Sequence, residues 1–285
     1  MLSQQDPYSS LYKNQMSIIN PAFAGIAHEY SLTFNSRNQW VSIENSPSTQ
    51  FFSISSKREK NIGLGLSFVS NKAFIESRTM AYIDFSYKLQ ISSETNLFLG
   101  LKPGGVFFDT NFNNLSSNSD PALRNFSKFN PNLGIGFLLQ SSKFWLSFSI
   151  PRMFNSGGDQ IFNLSSNNSN VYTGVGVNLK LKDEIVFKPS LLARFIEESK
   201  VVTDFSTMLS VNNRFEFGVN YRTNNSLSGL FFVNIKNFNV GYAYETSTNK
   251  NGFNINLNTH EIILTININK GEQDLEDSED LEVSE

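Results

Sequence analysis

Ten charged residues fall at alternate positions of strand-like segments: Asp84, Lys88, Lys102, Lys188, Arg194, Asp204, Arg214, Glu216, Arg222 and Glu245. Carboxylates and cations sharing one face can move protons, select ions along a pore, or neutralise one another where water is scarce. Their mixed signs favour an internal salt-bridge lattice over a selective pore lining. Acid–base or metal chemistry would need further partners. The two histidines, His28 and His260, are far apart in the chain, and no motif joins either to a nucleophile or a metal-binding cluster. GLGLSF, from Gly63, lacks the lysine and following helix of a phosphate loop. The final run EQDLEDSEDLEVSE is acidic but lacks the central glycine and ligand spacing of a calcium loop. The expectation is therefore a non-enzymatic protein without cofactor or metal.

The elements carrying these charges have an unusual polarity. In residues 214–245, Phe215, Phe217, Val219 and Tyr221 alternate with Glu216, Gly218 and Asn220, and Phe238, Val240, Tyr242 and Tyr244 alternate with Asn239, Gly241 and Ala243. Successive side chains of a strand point to opposite faces, so one face is apolar and the other polar or tiny. A soluble sandwich packs apolar residues inward and carries charge outside. A transmembrane barrel turns the aromatic face to lipid and glycine, asparagine and charge to the lumen. Composition agrees with the barrel: 285 residues hold 27 Phe, no Cys, 17% charged residues and a mean hydropathy of -0.25. No run approaches the roughly 20 apolar residues of a membrane helix. A net charge of -3 without a basic block argues against nucleic acid. The opening MLSQQDPYSS has neither the basic nor the apolar region of a secretory leader, so an exported chain would start here in mature form.

Along the chain, residues 1–28 are expected to form a periplasmic or plug segment, 29–269 an antiparallel barrel, and 270–285 a disordered acidic tail. Leu11, Met16, Ile18 and Ile19 could line a short helix that Pro21 interrupts, and this apolar content predicts a segment folded into or beneath the barrel. About fourteen strands are expected, at 30–40, 49–56, 63–70, 78–89, 96–108, 132–140, 143–150, 170–181, 185–196, 201–211, 214–222, 228–235, 237–245 and 260–269. Connections alternate between short polar turns and a mostly longer set at 41–48, 71–77, 109–131, 151–169 and 246–259. In an outer-membrane barrel the short turns face the periplasm and the long loops the exterior, which would put both termini in the periplasm. Inward glycines leave room for material inside the lumen, and bulky Met80, Tyr82 and Tyr172 also face it. Trp40, Tyr87, Trp145, Tyr221 and Tyr244 are candidates for interfacial girdles.

The sequence also resembles a known family. QDPYSSLYKNQMSIINPAFAG at 5–25, followed by RNQW at 37–40, is similar to the mature start of the PorP/SprF family, outer-membrane proteins of the type IX secretion system of Bacteroidota. SPSTQ at 46–50, IGLGLSFVSNK at 62–72, PNLGIGF at 131–137, VGYAYE at 240–245 and THEIILTI at 259–266 extend the likeness to about residue 268. The resemblance implies an outer-membrane barrel working with other secretion components. It further implies a secreted adhesin, often one used in gliding motility, whose C-terminal sorting domain the barrel engages.

Two function classes remain: a partner and anchor for a secreted adhesin, and a channel or hydrophobic-solute transporter. The longest connections contain Phe112, Leu115, Phe126, Phe129, Phe154, Ile161, Phe162 and Phe253 among polar residues. Aromatics in a polar rim mark contact sites, so a partner-binding cup is expected there. The alternative is that these loops fold inward and cap the barrel.

Overall fold

Extended segments with one apolar face stay paired only if every edge finds a neighbour, and closure into a cylinder removes the edges altogether. The computed structural model describes residues 9–268 apart from 27, 42, 44, 58–60, 113–124, 155–169, 197–200 and 249–257. Two short 3-10 segments, Tyr12–Ile18 and Pro21–Phe23, precede the strands. These are β1 (Tyr30–Gln39), β2 (Ser48–Lys57), β3 (Ile62–Ala73), β4 (Glu76–Gln90), β5 (Thr95–Thr110), β6 (Phe126–Ser141), β7 (Phe144–Ile150) and β8 (Asn170–Val177). The rest are β9 (Leu179–Lys182), β10 (Ile185–Ile196), β11 (Val202–Val211), β12 (Phe215–Arg222), β13 (Ser226–Ile235), β14 (Phe238–Ser247) and β15 (Thr259–Ile268).

Apart from β8 and β9, which do not pair with each other, each strand pairs antiparallel with its neighbours in sequence, and β1 pairs with both β2 and β15, so the sheet closes. β8 and β9 both pair with β10 and are two halves of one stave, broken at Asn178, whose backbone N–H reaches Lys143 O at 2.7 Å. The result is a closed barrel of fourteen staves.

The two ends differ. Turns such as 91–94, 142–143, 183–184 and 236–237 lie at one end, and the strand ends Thr110, Phe126, Ile150, Asn170, Ser247 and Thr259, between which the longer connections run, lie at the other. One expected long connection is short: β3 and β4 are joined by Phe74 and Ile75 alone, with Phe74 at φ 54. The pairing of Ala73 with Glu76 extends both strands into what the sequence offered as a loop.

Polarity is inverted across the wall. Leu66, Ile83, Leu146, Phe217, Val219 and Ile262 face outward with half or more of their surface exposed. The opposite faces of the same strands bury Ser67, Asp84, Ser147, Asn220 and Glu261. An apolar exterior around a polar interior is stable where hydrocarbon replaces water outside. No helix among the described residues is long and apolar enough to cross a membrane.

The apolar core lies inside the cylinder, between the wall and the N-terminal segment. Leu11 packs with Met208, Leu230, Phe232, Ala243 and Ile263, while Tyr12 and Met16 pack with Tyr172 and Leu192. Ile18 packs against the cluster containing Phe51, Val69, Met80, Tyr82 and Val106. A fully buried leucine or methionine contributes about 1.5–3 kcal/mol, enough for several such residues to hold the segment within the barrel.

Candidate functional site

The lumen is the place where unusual residue types converge, and its first element is the turn Asn20–Gly25. Pro21 starts a single 3-10 turn and the Asn20 side chain caps it, accepting from the Ala22 N–H at 2.9 Å. Asn20 Nδ2 donates to Ser147 Oγ at 2.8 Å and to Phe137 O at 3.1 Å, while Ser86 Oγ donates to Ala24 O at 2.6 Å. The turn sits on inward glycines because nothing larger would fit. A Cβ on Gly63 would lie 2.0 Å from Ala24 O, on Gly100 2.3 Å from Ala22 N, and on Gly136 1.9 Å from Asn20 Oδ1. Gly25 leaves the turn at φ 65, close against Ser56 O.

The second element is a buried charge network in the half of the lumen nearer the long connections. Arg37 on β1 bonds Glu245 on β14 at 2.8 Å and Glu261 on β15 at 3.1 Å. Arg222 bonds Asp204 at 3.0 Å and approaches Glu245 at 3.6 Å, and Asn220 also donates to Asp204. The N-terminal segment joins this network directly. Ser10 donates its backbone N–H to Glu261 at 2.8 Å and its hydroxyl to Glu245 at 2.6 Å, and Ser9 Oγ donates to Glu261. Charges this deeply buried persist only when hydrogen-bonded on several sides, which the serines and Asn35 provide.

Two smaller groups complete the lining. Lys102 Nζ reaches Asp84 at 2.5 Å, Ser67 Oγ at 2.6 Å and Ser17 O at 2.9 Å. Lys188 and Glu216 pair at 2.8 Å toward the short-turn end, where Lys13 Nζ donates to Lys188 O at 3.1 Å.

Of the charges singled out in the sequence, Asp204, Arg222 and Glu245 come together, as do Asp84 with Lys102 and Lys188 with Glu216. Arg194 is buried on β10 and Lys88 is half-buried near the end of β4. Arg214 does not line the lumen: it lies in the turn before β12, exposed, with its guanidinium 5.6 Å from the Phe215 ring centroid. Strand parity fails there because the strand has not yet begun. Arg37 and Glu261 were missed, although both lie on the inward parity of their strands; Ile263 beside Glu261 hid the pattern.

Aromatics are also redistributed. Trp145 is not a girdle residue; it faces the lumen over Gly174 and Gly176, edge-on to Phe23 at 6.3 Å. Tyr87, Tyr221 and Tyr244 are exposed on the outer wall. Trp40 follows β1 at φ 50. Phe126 and Phe129 are strand residues rather than loop residues, because the β5–β6 ladder runs on to the pair Thr110–Phe126. Phe129 stacks on Phe107 at 4.5 Å. Phe112 is half-buried and Phe154 exposed, while Leu115, Ile161, Phe162 and Phe253 lie outside the described residues.

The chain described before β1 thus meets β1 to β8, β10, β11 and β13 to β15 from within, filling the barrel it belongs to. Its first described residues, Ser9 and Ser10, sit in the half of the lumen away from the short turns. The model of the family described as "Type IX secretion system membrane protein PorP/SprF" matches residues 1–266. The chain belongs to the PorP/SprF family. This PorP/SprF protein is an outer-membrane β-barrel of type IX secretion. Its fold is similar to that of the outer membrane protein Omp33 of Acinetobacter baumannii, at 9% identity and TM-score 0.51 over 85% of this chain and 98% of that one. The toluene transporter TbuX of Ralstonia pickettii gives 9% identity and TM-score 0.52 over 87% and 92%. The monoaromatic hydrocarbon channel CymD gives 10% and 0.54 over 90% and 93%. At such identities the likeness concerns the barrel alone. No curated protein sequence matches the chain.

Proposed function

We propose that this barrel is a non-conducting partner of secretion, which receives the C-terminal domain of a secreted surface adhesin and supports its export or anchoring. In this reading the long connections face the exterior and the short turns and C-terminus face the periplasm. The observation that carries it is the filled lumen. A diffusion channel or solute transporter needs a wet path from end to end, and here residues 9–25 occupy that path with backbone wedged between glycines and serines bonded to buried carboxylates. With the lumen closed, recognition falls to surfaces outside it. The end bearing the longer connections carries exposed Met153 and Phe154, and Asn132 fixes that chain by accepting from both of their backbone N–H groups and donating to Phe154 O at 2.7 Å. Apolar side chains on a fixed backbone suit a protein contact.

The test is purification from native membranes with identification of bound proteins, for the wild type and a Phe112→Ser/Phe154→Ser variant. Loss of a co-purifying adhesin from a variant that keeps its heat-modifiable barrel supports the reading. Undiminished capture by that variant rejects the surface. Steady ion conductance by the wild type in a planar bilayer rejects the sealed lumen.

A further inference from the structure

Plug and wall do not meet everywhere. Between them lies a cavity of about 230 Å³, reaching from Ser10 and Leu11 of the plug to Lys188 and Glu216 of the wall. Its two sides differ in chemistry. Leu11, Met208, Leu230 and Phe232 form an apolar wall, with Met208 seated in the space left by Gly218. Opposite stand the ammonium groups of Lys13 and Lys188, the Glu216 carboxylate and the buried Ser206 hydroxyl, which lies beside the Tyr12 hydroxyl and keeps its own proton to donate. Glu216 is engaged by Lys188 at 2.8 Å. Among the described residues, Lys13 Nζ makes one hydrogen bond, to the neutral Lys188 O at 3.1 Å, for three donors. The described lining therefore holds one more cation than anion, and unused donors beside an apolar wall.

Access is from the short-turn end. Lys188 and Glu216 stand within the first rungs of β10 and β12, and their side chains keep 31% and 20% exposure, against 12% or less in the other lumen pairs. The opposite side is shut by Ser10, held to Glu261 and Glu245. The shape is a blind cup, with space for roughly seven or eight water-sized groups.

We propose that this cup is a binding site for a small amphipathic carboxylate, with its head on Lys13 and Ser206 and its apolar part against Leu11, Met208, Leu230 and Phe232. A charge-assisted bond supplies Lys13 with the anion it lacks, and the apolar part displaces water from a wall that gains nothing from it. A free short-chain acid and the last residue of a peptide present the same carboxylate, and the depth of the cup accommodates either.

The experiment titrates carboxylate-labelled hexanoate into the purified full-length barrel and follows saturable binding by NMR, with hexan-1-ol and a tetrapeptide ending in leucine as parallel arms. Hexanoate should bind about tenfold tighter than hexan-1-ol, and about tenfold tighter to the wild type than to a heat-modifiable Lys13→Met barrel. Competition by the tetrapeptide, abolished when its C-terminus is amidated, identifies the peptide source; binding of hexanoate without such competition identifies the free acid. Equal binding of hexanoate and hexan-1-ol by the wild type, which needs no variant to fold, overturns the proposal. So does unchanged hexanoate affinity in the Lys13→Met barrel.

Discussion

The N-terminal segment is held at two places by opposite means. At Asn20–Gly25 the fit is one of shape: backbone lies on Gly63, Gly100 and Gly136, and Ser86 and Ser147 supply neutral hydrogen bonds. At Ser9 and Ser10 the fit is one of charge, made to carboxylates already committed to Arg37 and Arg222. The first kind fails when volume is added, the second when a charge is removed. A buried ion pair adds little net stability over an apolar pair, yet leaving one partner alone is expensive. Shape fixes where the segment sits, and charge makes its departure costly.

Removing Glu261 tests the second half most severely. Glu261→Ala takes one of its two carboxylates from Arg37 and removes the acceptor shared by the Ser9 hydroxyl, the Ser10 N–H and Asn35, so a loss of about 3–5 kcal/mol is expected. Heat-modifiability on gels reads the stability, and trypsin cleavage after Lys13 reads release of the segment. A variant as stable and as resistant as the wild type would make the network incidental. Gly63→Val is the matching test of shape. Its Cβ meets Ala24 O at 2.0 Å and Ser86 Oγ at 2.3 Å, so a loss of about 1–3 kcal/mol is expected. Here the turn at Asn20–Gly25 should be displaced while the Ser10 contacts survive; loss of both together would show the two places to be one cooperative unit.

The smallest effect sharpens the comparison by pH. Lys13 sits on the segment itself, and burial lowers its amine from 10.5 to about 8, with Lys188 adding to the shift and Glu216 opposing it. Because the seated amine has the lower pKa, the displaced segment binds more protons between those values. Seating should therefore strengthen as pH rises from about 8 towards 10.5 and change little from this group below 8. Tryptic cleavage after Lys13 is unsuitable across that range, so hydrogen exchange at Asn14 to Ser17, corrected for intrinsic rate, is the measurement. Protection that falls with pH in this window contradicts the assignment.

The wall was legible in the sequence because lipid imposes a strict period of two: Phe215, Phe217, Val219 and Tyr221 could be assigned outward by parity alone. The lumen was less legible because several kinds of neighbour face it. Trp145 fits the inward row only because Gly174 and Gly176 stand opposite, a pairing across strands that no local pattern announces. Glu261 shares its row with Ile263, one facing Ser9 and the other Leu11. Residues that meet an irregular segment have no period to betray them. Phe126 and Phe129 were misplaced for a simpler reason, since aromatics amid asparagine and serine read as loop until the β5 partner is known.

The charge network also has a position in time. Arg37 belongs to the first strand and Glu261 to the last, and these two strands meet only when the cylinder shuts. Ser9 is separated from Glu261 by 252 positions, so its contact is among the last that a growing chain can form. The serines of the N-terminal segment are thus a stitch across the seam between the first strand and the last.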